Sequence, residues 1–426
     1  MEMIRSTRAG WVRNARHHGR LLFIDLDDPP STLQLVADRS EMSGSDYARL
    51  LACPVGSAIR LEVRSSSRGG DEELRVISVL EAYPAESRYS ALLQNLSKLS
   101  RTARDNPLLL GERHLALRTD YLRATLTARS RVHHFLVQWF ASQGYTEIHA
   151  PILTKLPLYE DSTAVALELQ EQSLFLTQCV GFYLEACANA IPRVVNIGPS
   201  FRAEESKSRR HLVEYWHVKF EAAWESRNWA MAQVERLLAD VHSFVVTECE
   251  DLFDTLDTEP PDLALGELRR VSYSDIADML RGKGHPFEFG DHIGADEERA
   301  LAEVFSEPLW ICGNPRTTEP FPYCLDPEDP RVTRTADLVL PNGYGELLGV
   351  AEKIVDEADL QLRMDEKGKG ATRTDYAWVR ELRSSGFAPQ VGVGMGFERL
   401  LRWLFQVNHV RDFSAFPRLF GRSFHP

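Results

Sequence analysis

The chain has 426 residues, 43% hydrophobic and 26% charged, with 49 basic against 62 acidic side chains and a formal net charge of −13. That length carries two or three domains, and the composition is that of a globular protein with a full core. The acidic balance excludes nucleic-acid binding over the whole surface but leaves room for a local basic patch. No apolar run approaches the ~18 residues of a membrane span, and "MEMIRSTRAG" lacks the apolar stretch of a signal peptide. The six cysteines form neither a CxxC pair nor a zinc spacing, so they are expected as reduced thiols in a cytoplasmic protein.

Residues 1–83 read as all-β. "GWVRNAR", "RLLFIDLDD" and "TLQLVAD" alternate apolar and polar residues between Gly and Pro punctuation, and "AIRLEVRSS" and "EELRVISVLEAY" flank "SRGGD". Five short strands in this length predict a small barrel of the oligonucleotide-binding type. The opening twenty residues carry Arg5, Arg8, Arg13, Arg16 and Arg20 against Glu2 alone, a basic island on an acidic chain. Arg13 and Arg16 could meet phosphates while Phe23 stacks on a base, and such stacking contributes ~1–3 kcal/mol. The plainer reading is a solvated charged edge with Phe23 in the core. Residues 84–112 are polar and weakly periodic, as a linker or hinge would be. From residue 113 a long amphipathic helix runs to near Gly144, and mixed strands and helices continue to 426.

Within that second region, "PRVVNIGPSFRAEE" and "HLVEYWHVKFEAAW" read as two strands joined by the polar turn "SKSRR". Period-two alternation puts Arg202 and Glu204 on one face of the first, and Tyr215, His217 and Lys219 on one face of the second. A strand-borne arginine, an Arg209-Arg210-His211 corner and an aromatic ring suit a nucleoside triphosphate: the guanidinium bridges a phosphoryl group, the corner holds outer phosphates, and the ring stacks on the base. A salt-bridged hairpin is the alternative. Further on, "GVGMGFERLLRWLFQ" (Gly392–Gln406) is a glycine-rich strand entering a helix. Gly392, Gly394 and Gly396 would let a flat ligand lie against bare backbone, and Arg399 would meet its charge. No Walker loop is present, so phosphate binding must rest on arginines.

"GYTEIHAPILT", "IGPSFRAEESKSRRHLVEYW" and "GVGMGFERLL" resemble, in order and spacing, the three signature motifs of class II aminoacyl-tRNA synthetases, at ~131–151, ~194–224 and ~392–406. The resemblance is nearest to the aspartyl/asparaginyl subgroup and its asparaginyl branch. "GWVRNARHHGRLLFIDLDD" looks like that subgroup's anticodon-binding barrel and "NHVRDFSAFPRLFGR" like its C-terminal ending. The implied fold is α+β: an OB-fold barrel, then a catalytic domain with an antiparallel six- or seven-stranded sheet flanked by helices. The implied assembly is a homodimer through the first motif, with Pro151 at the interface.

The implied activity is ATP-dependent formation of an aminoacyl-adenylate from asparagine or a related amino acid, with transfer to tRNA. By resemblance, Arg202 holds the α-phosphate, Glu204 lies beside the adenine or the reacting amino acid, and Arg210, His211 and Leu212 line the outer-phosphate region. Tyr215 stacks on adenine, Gly394 and Gly396 border the nucleotide, and Arg399 covers its other side. Asp337 and Glu346 match an acidic pair for Mg²⁺ and phosphate. Glu160, Gln178, Gly181, Glu221, Lys353 and Gln390 fall at the amino-acid pocket. No general base is required, because a carboxylate is already a nucleophile.

The departures cluster. Gly181 stands near a usual glutamine, Lys353 at a usual arginine, Lys219 at an expected acid, Gln390 at a usual histidine and Asp161 at a glycine. In the barrel, Asp27 lies where a basic residue is common. Leu184 occupies a position that is lysine in aspartyl enzymes and so favours the asparaginyl side. Lysine cannot supply the two parallel donors of a guanidinium. A second reading is therefore a diverged paralogue that passes the adenylate to a non-tRNA acceptor.

Overall fold

A computed structural model describes residues 5–28, 31–68, 71–102, 107–156, 161–206, 208–263, 267–369 and 374–424. Contacts divide the chain into two compact units, one running to Arg123 and the other covering Ala124–Phe424.

In the first unit β1 (Arg5–His18), β2 (Leu21–Asp28), β3 (Ser31–Asp38), β4 (Ala58–Arg68) and β5 (Asp71–Tyr83) close in the order β1-β2-β3-β5-β4. Alternation drives the closure. Leu22, Ile24 and Leu26 of β2 are buried, whereas Leu21, Phe23 and Asp25 stay partly exposed. Pairing of β3 with β5 in parallel at Leu35–Leu74 removes the last open edge. The helix Gly44–Leu51, capped by the Ser43 side chain, bridges β3 and β4. Gly10 is required by close approach, since a Cβ there would lie 2.0 Å from the Asp27 carbonyl oxygen.

The stretch read as a linker carries the helix Ser87–Thr102, with Leu93 and Leu96 buried at i and i+3. Gln94 and Asn95 between those leucines dilute the period to the eye, but two buried positions suffice to fix a face.

In the second unit the strands are β6 (Thr146–Glu147), β7 (Leu153–Thr154), β8 (Ala166–Leu169), β9 (Gln172–Leu176), β10 (Arg193–Phe201), β11 (Glu214–Ala223), β12 (Arg269–Ser272), β13 (Leu309–Cys312), β14 (Thr335–Leu340), β15 (Gly345–Glu352) and β16 (Gln390–Gly396). The main sheet runs β12-β13-β14-β15-β16-β11-β10-β6, and β7-β9-β8 form a small separate sheet. The six strands β13 to β10 are antiparallel, as expected, but the sheet is extended to eight by parallel edge strands β12 and β6. These edges are four and two residues long, too short for alternation to announce them.

The helix Asp120–Ser142 ends before Gly144, which takes φ +78°, close to where the sequence places the stop. The helix Arg227–Glu248 packs across β14, β15 and β16, burying Ala230, Val234, Leu237, Leu238, Val241 and Val245 on one stripe. Helix Gly181–Ala188 packs on β10, β11 and β16. Strand β10 ends at Phe201, so Arg202 and Glu204 leave from the strand's end rather than from its face.

Candidate active site

The sheet's central strands turn one face to a cavity of about 540 Å³. On β11, Tyr215, His217, Lys219 and Glu221 point into it, while Val218, Phe220 and Ala222 are buried on the other side. On β16 the matching face is Gly392, Gly394 and Gly396, with Val391, Val393 and Met395 behind. The glycines do not leave bare backbone for a flat ligand. A Cβ on Gly392 would lie 2.3 Å from Glu221 Oε2, one on Gly394 2.9 Å from Lys219 Cε, and one on Gly396 3.2 Å from Arg399 Cδ. The missing side chains make room for the functional ones of the neighbouring strand and helix.

Arg202, from the end of β10, and Arg399, from the helix Phe397–Leu404, line this same cavity. A relay of polar contacts joins them: Arg202 Nη1 donates to Glu204 Oε1 at 3.3 Å, Glu204 Oε2 lies 3.7 Å from His211 Nε2, and His211 Nε2 lies 3.3 Å from Arg399 Nη2. Burial first, then the Arg399 charge, lowers His211 to about 4, so it is neutral at neutral pH. Ser206 and Ser208 hydroxyls hold its Nδ1 at 2.9 and 2.5 Å. Leu212 and Tyr215 also line this half. Arg210 lines it too, but its Nη1 lies 2.6 Å from Glu298 Oε2, a carboxylate on the helix Ala295–Ala302. Gly345 admits that guanidinium, for a Cβ there would sit 1.9 Å from it.

At one end three carboxylates gather. Asp337 lines the cavity on β14 and accepts from Asn314 Nδ2 at 2.6 Å; burial, then Glu319 and Glu346, raises it well above the usual carboxylate range. Glu319 is raised to about 7 chiefly by burial. Glu346 goes the other way, because Arg399, Arg210 and Arg202 outweigh its burial and lower it. Clustered carboxylate oxygens are the donor set of a hard divalent cation such as Mg²⁺. Among the described residues no group of three His, Cys, Asp or Glu is placed to hold a metal ion by itself.

The other end is built from paired charges. Glu185 accepts from Arg383 Nη2 at 2.5 Å and lies 3.4 Å from Lys353 Nζ, which is 3.9 Å from Glu221 Oε1 and 4.8 Å from the centre of the Tyr323 ring. Burial raises Glu221 to about 7 against the pull of Lys353. Its Oε1 has no hydrogen-bond partner among the described residues. Lys219 contacts the Cys179 thiol.

Three expected amino-acid contacts sit behind the wall instead. Gln178 donates to Thr163 Oγ1 at 2.9 Å, Gly181 opens a buried helix with its N–H on Cys179 Sγ, and Gln390 donates to the Glu185 carbonyl at 3.1 Å. Glu160 lies outside the described residues. Leu184 is buried in an apolar cluster with Val180, Ala188 and Val194, away from the cavity lining. Glu319 and the Glu185–Arg383 pair were not found from sequence, and His217 was placed on the cavity-facing row without a role. Glu319 lies in an aperiodic Pro-rich loop, and a buried Glu in a helix looks like any surface Glu until its partner, 198 residues away, is known.

In the barrel, Arg13 is bound to Asp27 at 3.3 Å and to Asp120, and Arg16 lies 3.3 Å from Asp25. Phe23 is half-buried, edge-on to His18.

The family model of tRNA synthetases class II (D, K and N) matches residues 105–419. The asparagine–tRNA ligase of Thermococcus gammatolerans is 32% identical over 100% of this chain and 97% of its own, and that of Pyrococcus furiosus 32% identical over 98% and 95%. The solved asparaginyl-tRNA synthetase of Pyrococcus horikoshii, complexed with asparaginyl-adenylate, superimposes with a TM-score of 0.88 at 29% identity, covering 100% of this chain and 97% of that one.

Proposed function

The chain belongs to the class II tRNA synthetase family (D, K and N), and on that premise we propose that it activates asparagine, or a closely related amino acid, with ATP and transfers it to tRNA. The observation that carries this reading is the convergence of Arg202 and Arg399, some two hundred residues apart, on one cavity with a carboxylate cluster at one end and the Glu221–Lys353 pair at the other.

The geometry divides the work. Arg202 meets the α-phosphate and stabilises the negative charge that grows on it as the substrate carboxylate attacks. Arg399, held by the Glu346 carbonyl at 2.9 Å, covers the nucleotide from the opposite side, and Tyr215 offers its ring to adenine. Neutral His211 contributes hydrogen bonds rather than charge to the outer phosphates, while Arg210 reaches them only by sharing or leaving Glu298. Asp337 and Glu346 would hold Mg²⁺, which would neutralise charge on the leaving pyrophosphate. Glu221 and Lys353 read the amino-acid side chain; Lys353 is fixed by two carboxylates and so offers one direction rather than a fork. The tRNA ribose hydroxyl then attacks the acyl carbon and AMP leaves.

Exposed Ile152 and Leu153 beside Pro151 support a homodimer through this segment. Among the described residues no helix is long and apolar enough to cross a membrane, which fits a cytoplasmic site of action. The testing experiment is ATP–pyrophosphate exchange across a panel of amino acids, followed by charging of tRNA. Asparagine-dependent exchange and charging support the reading; exchange without charging overturns its second half.

A further inference from the structure

Along β11 the side chains facing the cavity run Tyr215, His217, Lys219, Glu221. Register fixes their neighbours: His217 lies opposite Gly396, Lys219 opposite Gly394, and Glu221 opposite Gly392. The row of Lys219 continues across the floor as Gly394, Gly349 and Asp337. Two glycines in succession leave space above this row, and Lys219 uses it. Its Cε would be 2.9 Å from a Cβ on Gly394, so the side chain lies over β16 and carries its ammonium toward the middle of the floor.

That middle is a junction. On one side are the nucleotide groups, Arg202 and Arg399; on the other are Glu221 and Lys353. The carboxylate that attacks the α-phosphate must lie between the two. Lys353 and Arg383 serve Glu185 and Glu221, and the Lys219 ammonium contacts the Cys179 thiol. His217, next along the strand, is kept neutral by burial and then by the charges of Lys219, Arg202 and Arg399.

Resting on the adenylation reading above, we propose that Lys219 is a further catalytic residue, whose ammonium holds the attacking carboxylate of the amino acid against the α-phosphate gripped by Arg202. Two anions that repel each other must meet in this step, and a cation on each side lowers that repulsion. One carboxylate oxygen forms a bond to the α-phosphorus. The bond from that phosphorus to its bridging oxygen breaks, and pyrophosphate departs with the electron pair. No proton is transferred in this step. An acid at this position, the family's usual choice, could not play this part.

The test uses the full chain with Lys219→Met and Lys219→Arg. In asparagine-dependent ATP–pyrophosphate exchange, K219M is expected to lower kcat at least tenfold with KM for ATP within twofold, and K219R to regain most of the loss. By calorimetry, K219M is expected to weaken asparagine at least tenfold but its α-carboxamide, which has no anionic carboxylate, less than twofold. Exchange by K219M within threefold of the parent overturns the role, as does equal weakening of both ligands, which marks a merely structural lysine. A parent chain inert with every amino acid overturns the adenylation reading and this role with it; an active parent with an indifferent K219M overturns this role alone.

Discussion

Arg202 reaches the cavity from a strand end, half-buried, with a 3.3 Å ion pair to Glu204. It stands beyond the end of β10 rather than within the sheet, so Arg202→Ala is expected to lower exchange by roughly 10²–10³-fold, the usual loss for one preorganised donor to developing charge, while leaving the melting temperature within a few degrees. Exchange at a tenth of the parent rate or better would show that the α-phosphate is held elsewhere. The acids make a pH prediction. Glu319 and Glu221 are both raised to about 7 from an ordinary 4.5. Between those values the native chain keeps protons that the unfolded chain has released, so stability falls as pH rises through that window and levels off above it. Thermal melts from pH 4.5 to 8 should trace that fall, and Glu319→Gln should make it shallower, raising the melting temperature at pH 8 and leaving it unmoved at pH 4.5. Melts that rise toward pH 7 would mean the cluster is compensated by charges unlike those described.

Elements turn these groups into a site through strand register. Gly392 faces Glu221 so closely that a methyl group would meet the carboxylate at 2.3 Å. Gly392→Ala is therefore expected to displace Glu221 and raise KM for the amino acid about tenfold with KM for ATP nearly unchanged, read in the same exchange assay. An equal rise in both would locate Glu221 in the nucleotide half. The sequence shows the glycines and the cavity-facing row of β11, because both are local patterns of period two. It does not show what the glycines are for, since that depends on which strand lies alongside. The same limit explains Gln178, Gly181 and Gln390. Their positions along the motifs are legible, but each is turned behind the wall by packing of the helix Gly181–Ala188 against β10, β11 and β16. Arg210 was legible as a cation and not as the partner of Glu298, 88 residues away. Exposed Ile152 and Leu153 belong to this scale too: Ile152→Asp with Leu153→Asp should shift the proposed dimer to monomer in sedimentation, and a dimer that does not shift would place the interface elsewhere.

Over the whole molecule the decisive quantity is charge and where it is already spent. The barrel was expected to grip nucleic acid through its opening arginines, yet each of the five has a carboxylate: Arg5 with Glu62, Arg8 with Asp28, Arg13 with Asp27 and Asp120, Arg16 with Asp25, and Arg20 with Asp38. The more exposed of these pairs, such as Arg5–Glu62, contribute only ~0.2–1 kcal/mol and exchange readily for phosphate, but the displaced carboxylate stays nearby and repels the same phosphate. Five unencumbered contacts to a single-stranded loop would give a slope near −3.5 in log affinity against log salt, at about −0.7 per phosphate. With every arginine sharing an acid, and a chain whose net charge is −13, tRNA binding is expected to show a slope shallower than about −2, with affinity resting more on stacking at Phe23. Phe23→Ala should then weaken binding more than Arg16→Ala. Arg13→Ala, which breaks contacts to both Asp27 and Asp120, should act mainly by lowering the barrel's stability. A steep slope with Arg16 dominant would show that the carboxylates swing clear and that the basic island acts as its sequence suggests.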